Sequence, residues 1–270
     1  MSHLVEDLRS AGALIRRDWQ VTFSYRLRFV SHLLSIFFTL TLFHFISRLV
    51  RVPSFASPET YYAFAVVGLI TLQILNSTLT MPPNLLRQEL VTGNFERLLV
   101  SPFGALRGIA AMMLFPFIYA LVTACLMLVF AGALFGVHLR WATVPLVIPV
   151  GVLGALSFAP FGLLFLTLVL VSKQAVTGAT FVVAGISLVS GLYFPVSLLP
   201  AWMRFLSGVQ PFTPAADLMR HLMVGTPLHA SAAAELLKMA CFAAVLLPLT
   251  IAAASLALRR SRRRGTILEY

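Results

Sequence analysis

The sequence predicts an all-α membrane protein: six transmembrane helices, an N-terminal amphipathic interface helix, a short cytoplasmic helix between the second and third spans, and short outer re-entrant or interfacial helices before the last span. Three observations predict it. Six stretches, residues 29–47, 60–86, 108–139, 141–172, 174–203 and 239–258, hold no Asp, Glu, Lys or Arg for 19 to 32 residues each, and about 20 apolar residues of helix cross a bilayer core. The chain is 59% hydrophobic and 11% charged, with a mean hydropathy of +0.93, where a water-soluble domain carries roughly 25% charged residues. The runs do not alternate apolar and polar residues in steps of two, so backbone groups that lipid cannot solvate are satisfied in helices rather than in a barrel.

Residues 1–28 place Leu4, Leu8, Ala11, Ile15 and Trp19 at steps of three and four, with Arg9, Arg16 and Arg17 off that stripe. Such a helix lies in the headgroup layer of the membrane, its arginines offered to anionic lipid. The polar, charged start is unlike a cleavable signal peptide. The spans are expected near 29–47, 60–81, 108–137, 141–172, 174–195 and 239–258, in a transmembrane domain covering 29–258, with a basic tail at 259–270. The loop at 82–107 opens on Pro82-Pro83. A short helix follows from Asn84, Gly93-Asn94 supplies a left-handed stop, and a second turn carries Phe95, Leu98 and Leu99 to Ser101-Pro102. Its charges, Arg87, Glu89, Glu96 and Arg97, lie among apolar residues, a mixture suited to a groove on a partner protein. The outer loop, 196–238, is broken by Pro200, Pro211, Pro214 and Pro227. One helical stretch is expected from Ala215 to Val224, with Gly225 as its stop.

Fourteen basic residues fall on the side holding both termini and six on the other, so both termini are expected in the cytoplasm. The net charge of +11 therefore orients the chain and does not form a nucleic-acid face. Cys125 and Cys241 fall inside predicted spans and make neither a disulfide framework nor a metal cluster. The six histidines carry no zinc spacing. Polar residues within the membrane are the candidates for a pathway: His32, Ser35 and Thr39 on one helical face of the first span, and Gln73, Asn76, Ser77 and Thr80 toward the inner end of the second. Interhelical hydrogen bonding is the plainer role for each. Gly132 and Gly136 have the spacing of a close-approach pair, and Pro145, Pro149 and Pro160 with Gly151, Gly154 and Gly162 are expected to bend or flex the fourth span. Asp217 and Arg220, at i and i+3, suit an ion pair, with His221 beside them at the interface.

At Gly93-Asn94-Phe95-Glu96-Arg97-Leu98-Leu99-Val100-Ser101-Pro102, and again from Gly191-Leu192-Tyr193-Phe194-Pro195 to Trp202, the chain resembles the permease subunit of ABC type-2 exporters. The likeness extends over the whole chain, through Pro211-Phe212-Thr213-Pro214 to the arginine-rich end. It implies a membrane protein of the bacterial cytoplasmic membrane that pairs with a second permease, as a homodimer or heterodimer. It also implies a separate ATP-binding-cassette subunit that supplies the ATPase. ATP and Mg would be bound by that partner, and this chain would bind no cofactor. The residues agree, because there is no GxxxxGK[ST] phosphate loop. The resemblance makes the segment from Leu85 to about Leu99 a coupling helix, with Arg87, Glu89, Gly93, Phe95, Glu96 and Arg97 against the ATPase. It also places the substrate route between paired permeases, beside the first, second and fifth spans. His32, Ser35, Thr39, Gln73, Asn76 and Ser77 would face that route, and Tyr193, Pro195, Trp202 and Phe205 would gate it from outside. Cargo of this class is amphipathic, lipid-linked, glycoconjugate or drug-like. An ion-coupled secondary transporter is the main alternative, weakened by the lack of an acid within any predicted span. A membrane-embedded enzyme is the lesser one.

Overall fold

A computed structural model describes residues 12–13, 15–22, 24, 26–50, 55–95, 105–137, 139–171 and 175–264. Glu96, Arg97, Leu98 and Leu99 of the expected coupling segment, Leu4, Leu8 and Arg9 of the interface helix, Lys173 and the last six residues lie outside that set. Among the described residues, the regular elements are helical: 15–22, then α1 (Arg26–Leu49), α2 (Pro58–Val91), α3 (Ala105–Phe135), α4 (Val144–Val171), α5 (Ala175–Val189), α6 (Ala201–Val209), α7 (Phe212–Met223) and α8 (Ala232–Arg264). Short 3-10 turns at Trp141–Thr143 and Val196–Leu198 precede α4 and α6.

Among the described residues, five helical stretches are long and apolar enough to cross a membrane: Phe29–Leu49, Pro58–Val91, Arg107–Phe135, Trp141–Leu170 and Ala232–Arg260. The expected span at 174–195 falls short. Its helix ends at Val189, and 15 residues reach about 22 Å at 1.5 Å each against a hydrocarbon core of about 30 Å. The chain turns at Gly191, whose φ of 68° is left-handed and easiest for a residue without a Cβ. Pro195 and the 3-10 turn after it prevent the helix from resuming.

α2 is the axis of the bundle. Its start is set by Ser57, whose side chain accepts from the Thr60 amide at 3.2 Å, followed by Pro58 at the first helical position and Glu59 in the first turn. It then runs 34 residues without a break, so no boundary falls at Pro82. Each proline costs the helix one hydrogen bond and crowds the carbonyl four residues back. Packing on α3 and α4 holds the helix through that defect, and Asn84 Nδ2 donates to the Thr80 carbonyl at 2.7 Å just beyond it. The break comes at Thr92-Gly93, where Gly93 has a φ of 70°.

α4 lies beside α2 and carries α8 on its far side. Ser157, buried on α4, donates to the Met239 carbonyl of α8 at 2.8 Å. Gly151 and Gly154 serve as a seat: Cβ atoms there would meet Met219 and Ala215 of α7 at ordinary contact distance. α7 is the most enclosed element, with its residues from Phe212 to Arg220 all buried between α2, α4 and α8. The pair Gly132 and Gly136 does not join two helices. Gly136 has a φ of 61° just past the end of α3, and Gly132 lies under the Trp141 ring. Cys125 and Cys241 are free and exposed on α3 and α8, since a helix surrounded by lipid is apolar on its outer face as well as its inner one.

Among the described residues, the buried apolar side chains gather in two clusters. The larger runs from Ile36 and Leu40 of α1 through α2, α3 and α4 to α7 and Met239 of α8. The smaller gathers Leu86, Leu90, Phe95, Ile109, Leu166 and Leu258 at the end of the bundle where α2 stops.

Candidate functional site

At that end a cleft of about 1190 Å³ opens between the N-terminal helical stretch, α1, α2 and α3. One wall is a stripe on α2: Gln73, Asn76, Ser77, Thr80, Asn84 and Gln88 recur every three or four residues and so lie on one face. Opposite stand Phe29 and His32 of α1 and Phe115 and Tyr119 of α3. Their rings form a chain, His32 to Tyr119 at 5.6 Å and Tyr119 to Phe115 at 6.0 Å, which Trp19 extends by an edge contact to Phe115 at 6.2 Å. The structure thus brings together His32, Gln73, Asn76 and Ser77 of the expected pathway residues. Ser35 and Thr39 do not join them. The face of α1 turned to α2 carries Ile36, Leu40 and Ser47, and Ser35 and Thr39 sit one residue off that line, a rotation of about 100°.

The charges of the cleft are at its mouth. Arg17 donates to Asp18 at 2.7 and 2.9 Å and to Glu89 at 2.8 Å, which ties the N-terminal stretch to the end of α2. Partial burial works against the Arg17 charge, but the two carboxylates hold the guanidinium above its ordinary value. Arg87 and Glu89 both face this region. Gly93 makes the turn that follows, and Phe95 does not reach outward: it is 1% exposed and packs within the smaller core cluster. An apolar residue just past a helix stop folds back on the helix when its own core offers a pocket, and Phe95 fixes the turn in this way.

At the opposite end lies a buried knot. Arg220, 2% exposed, donates through Nη2 to the carbonyls of Gly191 at 2.9 Å and Leu192 at 2.8 Å, reaches the Phe64 carbonyl at 3.4 Å, and stacks 3.5 Å over the Phe64 ring. The expected partner Asp217 is 3.7 Å away and also accepts from His229 Nδ1 at 2.9 Å. His221 donates to the Thr226 carbonyl at 2.8 Å. These groups satisfy one another and the backbone, an arrangement for holding a turn and not for acid-base chemistry. Of the expected gate residues, Tyr193 stacks on Phe43 at 5.9 Å and accepts at its carbonyl from Tyr61 at 3.4 Å, and Pro195 caps the 3-10 turn. Trp202 and Phe205 are 64% and 72% exposed on α6 and do not line the cleft.

Sequence reasoning missed Arg17 and Asp18 as site residues, since 72 positions separate Arg17 from Glu89 and no local pattern marks the pair. It also missed Asn84 and Gln88, which a stripe continued past Pro82 would have supplied.

No curated protein matches the chain. The model of the family described as ABC-2 type transporter matches residues 10–224, which take in the cleft, the turn at Gly93 and the knot around Arg220. The membrane domain of that family is a transport permease component with no catalytic role of its own. The chain belongs to the ABC-2 type transporter family.

Proposed function

We propose that this chain is the permease subunit of an ATP-driven exporter in a bacterial cytoplasmic membrane. It moves an amphipathic, lipid-linked, glycoconjugate or drug-like cargo outward and pairs with a second permease and a separate nucleotide-binding subunit. Both termini and the Gly93 turn face the cytoplasm, and α7 is a re-entrant element entering from outside. The observation that carries this reading is the course of α2. Its 34 residues span about 50 Å, roughly 20 Å more than the hydrocarbon core. The same rod therefore carries the polar wall of the cleft, a core-facing middle and a projecting end with Arg87, Glu89 and Gly93. Force applied at that turn by a closing ATPase moves the cleft wall as a unit.

Two substitutions test the coupling. Glu89→Arg breaks the bond to Arg17 and puts like charges together. Because the Arg17 side chain is 43% exposed, the pair contributes only about 0.5 kcal/mol to stability, so folding and insertion are expected to survive while ATP-dependent efflux falls. Gly93→Val forces a β-branched residue into φ near 70°, at a cost of about 1–2 kcal/mol, and is expected to uncouple in the same way. Both are read in vesicles holding the permease and its co-expressed ATPase subunit, as cargo moved per ATP hydrolysed. Wild-type ratios in both variants would remove this turn from the mechanism.

A further inference from the structure

The cleft beside α2 differs in chemistry from the chain that builds it. The protein carries a net charge of +11, yet the described charges lining the cleft are two and two, Arg17 and Arg87 with Asp18 and Glu89. All four are at the mouth, and three are already bonded to one another. Above them the described lining has no Asp, Glu, Lys or Arg. An ionic group drawn up the cleft would lose water and meet no countercharge, which is costly. A purely hydrocarbon cargo would instead cover a stripe of amides and hydroxyls and leave them unpaired.

From Gln73 to Gln88 the stripe is about 22 Å long, and amides offer donors and acceptors side by side. Gln73 makes only long contacts, 3.4 Å to Ser77 and 3.4 Å to Thr123. The side-chain amides of Asn76 and Gln88 have no hydrogen-bond partner among the described residues, so their capacity is turned to whatever fills the cleft. The facing wall is the chain of aromatic rings. Flat rings opposite neutral hydrogen-bonding groups suit a molecule that has hydroxyls at its edges and C–H bonds on its faces, as a sugar ring does.

We infer that the cleft binds the polar part of its cargo as an uncharged sugar or polyol, its hydroxyls on the α2 stripe and its C–H face on the His32, Tyr119 and Phe115 rings. This rests on the cleft being the path of the cargo. The test uses the full chain in nanodiscs and three photoreactive amphiphiles of one alkyl length, a glucoside, a phosphate and a trimethylammonium, with labelled peptides mapped. Labelling of the lipid-facing side of α8 around Leu249 gives the background. The glucoside should label α2 between Gln73 and Gln88 above that background and above the other two probes. Asn76→Leu should lower the labelling about three- to tenfold, the worth of one hydrogen bond, and Asn76→Asp should transfer preference to the ammonium probe. Asn76→Ser repeats the measurement should the leucine variant fail to fold. Labelling of the wild-type stripe by the phosphate or ammonium probe as strongly as by the glucoside would overturn the sugar assignment while leaving the cleft as a path. No labelling of the stripe by any probe would overturn the path as well.

Discussion

Replacing Arg220 by alanine is expected to destabilise the protein by about 3–5 kcal/mol, the range found when one partner of a buried ion pair is removed. It would show as a large drop in the unfolding midpoint of the purified protein in detergent. The guanidinium binds the carbonyls of Gly191 and Leu192, lies over the Phe64 ring and faces Asp217, so its loss leaves two carbonyls without their donor and Asp217 with His229 alone. These carbonyls lie just after the end of α5, where backbone acceptors have no helical donors of their own. Arg220→Lys keeps the charge, but one ammonium cannot reproduce the planar fork or the stacking, and an intermediate loss is expected. The neighbouring Gly68 makes room for the same knot: an added Cβ would lie 1.7 Å from the Leu192 oxygen and 2.8 Å from Arg220 Nη2. Gly68→Ala should therefore lower the midpoint too, and it should be less than additive with Arg220→Ala because both release the same turn. A wild-type midpoint in Arg220→Ala would mean that the turn after α5 holds by packing alone.

That knot also marks the limit of what the sequence discloses. Five of the six charge-free runs correspond to helices of spanning length, because exclusion of charge over about 20 residues reports directly on a low-dielectric surrounding. The same signal cannot tell apolar chain in lipid from apolar chain inside protein. The run 174–203 therefore reads as a span although its helix stops at Val189, and only Gly191 and Pro195 hint at the turn. The burial of Phe95 in the smaller cluster was illegible for a related reason, since an apolar residue in a loop between spans fits a partner's groove and the chain's own core equally well. The cleft was half legible. Polar residues stand out against an apolar helix, so Gln73, Asn76 and Ser77 could be found in the sequence and assigned to one wall. The opposite wall depends on how α1 and α3 pack, and the mouth on an ion pair between distant segments. Neither leaves a periodic trace.

Gly162→Ala is expected to be the next most damaging change, at about 3 kcal/mol, the upper part of the range for overpacking a close contact. Pro82 has no N–H, so the Thr78 carbonyl four residues back has no helical donor. That carbonyl is turned to α4, where a Cβ on Gly162 would lie 2.1 Å from its oxygen and 3.2 Å from its carbon. The bare Cα lets the two helices approach, and its hydrogens offer the oxygen weak C–H donors inside an apolar interior. A methyl group there must push α2 from α4 at the level of the cleft, so both stability and transport should fall. Gly178→Ala is the control, since a Cβ on that α5 residue would meet nothing within 4 Å and should leave the midpoint almost unchanged. Pro82→Ala returns an amide to the Thr78 carbonyl and draws it back toward the axis of α2, which relieves the clash from the other side. The double variant Pro82→Ala with Gly162→Ala should then be more stable than Gly162→Ala alone. Losses that simply add would mean that the proline and the glycine act independently and that the orphaned carbonyl does not set the spacing of the two helices.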